Sequence, residues 1–159
     1  MKISLICIGR MKAGPERELA DRYHQRAVAQ GRPLGVSAVS VIELPESRAA
    51  DASRRKAEEA QAILGKTQGG VIVAFDERGP ALDSETVAAR FAAWRDSGAE
   101  HVCFVIGGAD GLDPSVRDAA RLALSFGAMT LPHQLVRVLA LEQIYRMMTI
   151  IDGHPYHRS

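Results

Sequence analysis

Short apolar runs alternate with longer charged stretches along this chain. The runs are residues 3–8 (ISLICI), 36–44, 69–75 (GGVIVAF), 101–108 (HVCFVIGG) and 122–126 (LALSF). They are too short for buried helices and are bounded by glycine, proline and polar residues, so they predict strands. Punctuation places the helices between them. Pro15 suits the first turn of a helix over 15–30, which Gly31 ends. Pro45 and Ser47 break the second strand, and a charged helix covers roughly 52–64 up to Gly65. Asp83 caps a helix running to about 96, with Phe91 and Trp94 inward and Ser97-Gly98 as its stop. Asp113-Pro114 opens a short helix, and a long one spans 132–151. Strands alternating with helices predict one α/β domain over residues 1–159, with a mostly parallel sheet covered on both faces.

The last helix has two apolar stripes. Leu141, Ile144, Met148 and Ile151 form one, and Leu135, Val136, Leu139 and Ile150 form another on the opposite side. A helix apolar around most of its circumference must be buried around most of it. The chain's own sheet covers one stripe, and a second copy of the chain is expected to cover the other; burial within a single subunit is the alternative. Arg137 lies on the flank of Leu141 and Met148, where it needs a carboxylate, a phosphate or a ligand. Glu142 is the nearest carboxylate in sequence.

Composition narrows the class. A chain of 159 residues buries about 70% of its unfolded surface and needs no disulfide or metal. Cys7 and Cys103 sit inside apolar strand runs and read as buried free thiols, without metal-ligand spacing around them. The opening MKISLICIGRMK has no small-residue cleavage pattern and reads as a first strand. No apolar run approaches the roughly 20 residues of a membrane helix, so a cytoplasmic protein is expected. The net charge is only +1. Proteins that grip bare nucleic acid through many phosphates are usually more basic. Any nucleic-acid recognition is therefore expected to be shared with something else.

Candidate chemistry gathers at the strand exits, where ligands bind in parallel sheets. VIGGADG is a strand followed by Gly107, Gly108 and Gly111. It is neither the dinucleotide fingerprint nor a P-loop. It suits a ligand approaching the backbone or a tight turn needing positive φ. SFGAMTLPH, residues 125–133, can offer main-chain N–H and C=O groups to a base edge between apolar walls of Phe126, Met129 and Leu131. It also reads as a plain connection capped by Thr130, with Pro132 in the first turn. FDERG, residues 75–79, places Asp76 and Glu77 in what is expected to be a solvated turn. The tail GHPYHRS, residues 153–159, sets a stiff residue, an aromatic, a titratable group and a fixed cation where chain ends usually fray.

Three of these pieces occur together: VIGGADG, LSFGAMTLPHQLVRVLALEQIYR and the terminal PYHR. The combination resembles the RlmH family of small SPOUT-class methyltransferases, which modify N3 of a pseudouridine in large-subunit ribosomal RNA. The resemblance spans the whole chain. It implies S-adenosylmethionine as methyl donor, a homodimer, no metal, assembled ribosomes as substrate, no separate RNA-binding domain and a C-terminal trefoil knot. By motif, it places the cofactor against Phe75, Gly107, Gly108 and the run Phe126, Gly127, Ala128, Met129, Thr130 and Leu131. The family often has Leu-Ser where this chain has Phe126-Gly127, so a serine hydroxyl contact is not expected here. The tail then becomes the catalytic group. His157 is the candidate base for the N3 proton, Arg158 the clamp for the resulting anion, and Tyr156 the positioning residue. His133, Arg137 and His154 are candidate substrate contacts, and His133 and His154 are also alternative bases. Two other readings compete: a nucleotide-binding α/β enzyme acting on a small molecule, and a dimeric ribosome-binding factor without catalysis.

Overall fold

The predicted strands end in register along one line. In the computed structural model, which describes residues 1–158, five parallel strands are β1 (Lys2–Ile8), β2 (Ala38–Leu44), β3 (Val71–Phe75), β4 (His101–Ile106) and β5 (Leu122–Leu124). Their order is β2-β1-β4-β3-β5. Ile8 pairs with Leu44, Cys7 and Phe75 both pair with Ile106, and Phe75 pairs with Leu124. All five exits therefore open at the same edge.

The alternation within each strand divides the core into two layers. Ile3, Leu5, Val73, Phe104 and Leu124 face α1 (Pro15–Gly31), α3 (Ser84–Asp96) and α5 (His133–Ile151). Ile6, Ile8, Ile72, Ala74 and Val105 face α2 (Ala52–Thr67) and α4 (Pro114–Ala119). Both faces are covered, which explains why the strands read as continuous apolar runs. The two cysteines are buried and unpaired. Burial pushes the Cys7 thiol up to about 12 and the Cys103 thiol up to about 11. Among the described residues no helix is long and apolar enough to cross a membrane.

Several helix ends differ from the sequence expectation, for local reasons. α1 does end at Gly31, but that residue keeps helical dihedrals (φ −72°). The chain continues through a 3₁₀ turn, Arg32–Leu34, and turns at Gly35 with φ +78°. Gly31 also admits a close approach: a Cβ there would lie 3.0 Å from Val36 Cβ and 3.3 Å from the Met148 sulfur. Gly65 lies inside α2, which ends where Gln68 and Gly69 adopt positive φ. β5 stops at Leu124, which frees Phe126 to turn inward. Thr130 does not cap α5; Pro132 occupies the cap position, without a side-chain bond.

The two stripes of α5 have different fates. Leu141, Ile144 and Met148 are fully buried, with Ile151 half-buried. On the other side Leu135 remains 43% exposed, and Val136, Leu139 and Ile150 are half-covered.

Candidate active site

The exits of β3, β4 and β5 enclose a cavity of about 300 Å³. Its walls are Phe75, Asp76, Glu77 and Arg78 after β3, residues 106–112 after β4, and residues 124–127 with Met129, Thr130, Leu131, His133 and Val136. Every predicted cofactor residue lines it except Ala128, which points to solvent. Phe75 and Phe126 stack with centroids 5.0 Å apart and planes 12° from parallel. Phe104 backs Phe75 at 6.1 Å. An apolar floor of aromatic rings faces Met129, which is 85% exposed at the mouth.

The glycine turn is shaped by space rather than by unusual dihedrals at its first two members. Only Gly111 has positive φ there, +83°. A Cβ on Gly107 would lie 2.9 Å from the Gly111 carbonyl carbon and oxygen. One on Gly108 would lie 2.9 Å from Glu59 Oε2 and 3.1 Å from Ile8 Cγ2. Backbone excludes a side chain at Gly107, whereas Gly108 is crowded by the Glu59 and Ile8 side chains; the two glycines leave backbone on the cavity wall. Arg55 of α2 straps this turn with a forked bond to Asp110 (2.8 and 3.1 Å). That bond holds the Asp110 carboxyl below its ordinary range. Gly127, at φ +113°, supplies the turn after β5.

Asp76 corrects an expectation. Its side chain is only 7% exposed, so the turn is not solvated at this residue. It accepts from the Arg78 N–H at 2.9 Å and from Arg117 Nη1 at 3.4 Å, and Arg117 Nη1 also donates to Leu112 O at 2.7 Å. Asp76 and Arg117 thus form a charged pair on the cavity wall. The general rule about strand exits pointed to this segment; the short acidic run gave no sign that one carboxylate turns inward. Glu77 is exposed as expected.

Arg137 also departs from its expected pairing. Its partner is Glu43 on β2, at 2.6 Å, not Glu142. A second bond runs to Gly9 O at 3.0 Å. Glu142 is held by Arg146 at 2.6 Å and accepts the Tyr156 hydroxyl at 3.0 Å. Burial pushes the Glu43 carboxyl up, but the Met11 N–H and Arg137 outweigh it and hold it below the ordinary range.

The tail folds back onto α5. Tyr156 packs on Tyr145 with centroids 4.7 Å apart and lies under the Arg146 guanidinium at 4.8 Å. Burial, with Tyr23 and Glu142 beside it, holds the Tyr156 phenol well above its ordinary range. Arg146 Nη1 lies 3.3 Å from His157 Nδ1, and Glu85 Oε1 lies 3.3 Å from His157 Nε2. Arginine cannot accept, so Nδ1 accepts and Nε2 carries the hydrogen. His154 Nδ1 accepts from the Tyr156 N–H at 3.1 Å, a local turn on an exposed residue. Arg158 is exposed.

Among the described residues, none of the tail lines the cavity. His133, at the start of α5, lies on the cavity wall. Arg146, which holds His157, lies about 20 Å farther along the helix axis at 1.5 Å per residue. Among the described residues no group of three or more His, Cys, Asp or Glu side chains is placed to hold a metal ion.

The last three exits of a parallel sheet thus converge on a cavity, closed by backbone turns and a long final helix. Residues 1–157 match the family model described as predicted SPOUT methyltransferase, and the chain belongs to that family. Its relatives narrow the group. It is 55% identical over 160 residues, covering 100% of both chains, to a protein of Bradyrhizobium diazoefficiens named Ribosomal RNA large subunit methyltransferase H. A protein of Methylobacterium radiotolerans with the same name is 58% identical over 161 residues, covering 100% of this chain and 98% of the relative.

Proposed function

We propose that this protein transfers a methyl group from S-adenosylmethionine to N3 of a pseudouridine in 23S large-subunit ribosomal RNA. It acts in the cytoplasm on assembled ribosomes, as a homodimer. The full-length likeness to relatives named for that RNA supports the substrate. The observation that carries the cofactor is the cavity itself. Its stacked Phe75–Phe126 floor suits an adenine ring, and the side-chain-free turn at Gly107 and Gly108 brings main-chain groups to the ligand. Residues 126, 127 and 129–131 supply the remaining wall. The Asp76–Arg117 pair offers both signs of charge to a zwitterionic amino-acid moiety. When bound, S-adenosylmethionine supplies a methyl group on a sulfonium.

The protein's task is then to orient the target and remove one proton. N3 of pseudouridine lies between two carbonyls and attacks well only as the anion. His157 takes the N3 proton at Nδ1 once the substrate displaces Arg146 from that nitrogen, Arg158 faces the anion that forms, and Tyr156 fixes the tail. The separation of tail and cavity favours a site shared between two protomers. The half-covered stripe of Leu135, Val136, Leu139 and Ile150 is the seam. Across a two-fold axis, the tail of one protomer reaches the cavity of the other. His133 is on the cavity wall and His154 is exposed in the tail, so both are available to RNA. Arg137 serves the same purpose through the loop it holds.

The trefoil knot belongs to the same proposal. The segment after β3 crosses β5 closely: Asp76 N–H donates to Leu124 O at 3.0 Å, and Ser125 N–H donates to Pro80 O at 3.1 Å. A Cβ on Gly79 would lie 2.7 Å from Leu124 N. Such a crossing is what supports a loop with later chain passing through it.

Methyl-labelled S-adenosylmethionine, incubated with ribosomes lacking the large-subunit modification, tests the function. Label should appear at N3 of a pseudouridine, and much more weakly on protein-free RNA. Cofactor binding without any label in RNA would contradict the assignment.

A further inference from the structure

A second hollow of about 190 Å³ adjoins the cofactor cavity, sharing Gly108, Ala109 and His133 with it. Its other wall is the β1 exit, with Gly9, Arg10 and Met11, and Glu46 and Gln134 lie at its sides. Nothing in the sequence motifs drew attention to Arg10. We infer that Arg10 is a substrate-binding residue, held by the Arg137–Glu43 pair to grip a phosphate of the target RNA beside the cofactor cavity. The inference rests on the proposed RNA substrate.

The Arg137–Glu43 pair holds the backbone on both sides of Arg10. Arg137 Nη1 and Glu43 Oε2 are 2.6 Å apart. The remaining bonds of the same two groups fall on either side of Arg10. Arg137 Nη2 donates to Gly9 O at 3.0 Å, and Glu43 Oε2 accepts the Met11 N–H at 2.6 Å. Arg17 adds a third tie, donating to Met11 O at 2.8 Å, and the Met11 side chain is buried at 5% exposure. Gly9 makes the turn at φ +88°. Side chains from β2, α5 and α1 thus fix the backbone on both sides of one residue, whose own side chain is exposed. The pair is partly buried, with the Glu43 side chain 25% exposed, and what its remaining bonds do is fix the backbone on both sides of one residue. That residue is Arg10.

Among the described residues Arg10 forms no ion pair or side-chain hydrogen bond, so its full fork of donors is free. Lys12, two residues on, is exposed and adds charge to the same rim. Glu46 lies in the same hollow, with Oε1 3.1 Å from where a Gly9 Cβ would be. A simple anion would be repelled by Glu46. A nucleotide has use for both groups, because it carries a phosphate together with O–H and N–H donors.

The test compares wild type with Arg10→Gln on ribosomes lacking the modification, at several salt concentrations. S-adenosylmethionine affinity is measured separately by calorimetry. The exposed substitution should leave cofactor affinity and kcat within about twofold, raise the ribosome KM about tenfold, and lower the salt dependence of kcat/KM by about one counterion. Arg137→Lys, which keeps the charge but not the two-way bond, should raise the same KM and spare cofactor affinity. Wild-type KM and salt slope in Arg10→Gln would overturn the inference while leaving the methyltransferase assignment intact. A wild-type enzyme that transfers no label would instead overturn the assignment on which it rests.

Discussion

The two edges of the sheet treat polar groups in opposite ways. At the amino edge, Ser4 on β1 bonds to Ser40 on β2 and to His101 on β4, both at 2.9 Å, and His101 lies 3.3 Å from the Cys103 sulfur. That cluster is closed: its members satisfy one another and face the layer under α2. At the carboxyl edge, Asp76, Arg117, Arg10 and His133 border hollows, and bonding capacity is left over. A buried polar group that serves the fold is fully paired, because an unpaired one costs about 1–3 kcal/mol. Polar groups with spare capacity at one rim mark where the molecule is built to meet something else.

Breaking the open edge should show in activity and breaking the closed edge in stability. The largest effect is expected from His157→Ala or Arg158→Ala, which should lower turnover by about 10²–10⁴-fold with little change in thermal midpoint. Full turnover in either would remove that residue from the mechanism. Next comes Gly107→Ala. Its methyl group would meet the Gly111 carbonyl at 2.9 Å, and calorimetry should show S-adenosylmethionine binding weakened about tenfold or more. Ser4→Ala should cost about 1–2 kcal/mol in denaturant melts and leave kcat/KM unchanged. An activity loss there would mean that the two edges are coupled.

The smallest effect concerns pH. Burial, aided by Lys2, holds the His101 imidazole below its ordinary value, against a hydrogen bond involving the Thr67 backbone. The unfolded chain therefore binds a proton more readily than the folded one. Stability is full above about pH 6.5, falls as the pH drops through that value, and levels off below the folded pKa. His101→Gln should flatten this part of the stability curve.

The fold was readable because both layers are written into strand alternation and helix punctuation. Asp83 and Asp113 cap where expected, donated to by the Thr86 and Ser115 N–H groups. The errors fell where a residue's role depends on a distant neighbour. Gly31 ends α1 as its type suggests, but it also makes room for Val36 and Met148, which its position in the sequence does not announce. Arg137 finds its carboxylate 94 positions away, on a strand that sequence spacing cannot relate to it. The cavity wall was legible as motifs at strand exits. The Asp76–Arg117 pair and the clamp around Arg10 were not, because both depend on how separate elements meet in space.

The central claim is that cavity and tail work together only across two protomers. Mixing two inactive variants tests it: Gly107→Val, which fills the cavity wall, and a double variant, His157→Ala with Arg158→Ala, which removes the tail groups. If sites are shared, each mixed dimer carries one whole site, made of the second variant's cavity and the first variant's tail. Random mixing should then restore about a quarter of wild-type turnover, because half the dimers are mixed and one site in each is intact. If cavity and tail of the same chain form the site, no mixture regains activity, and the shared-site account is wrong.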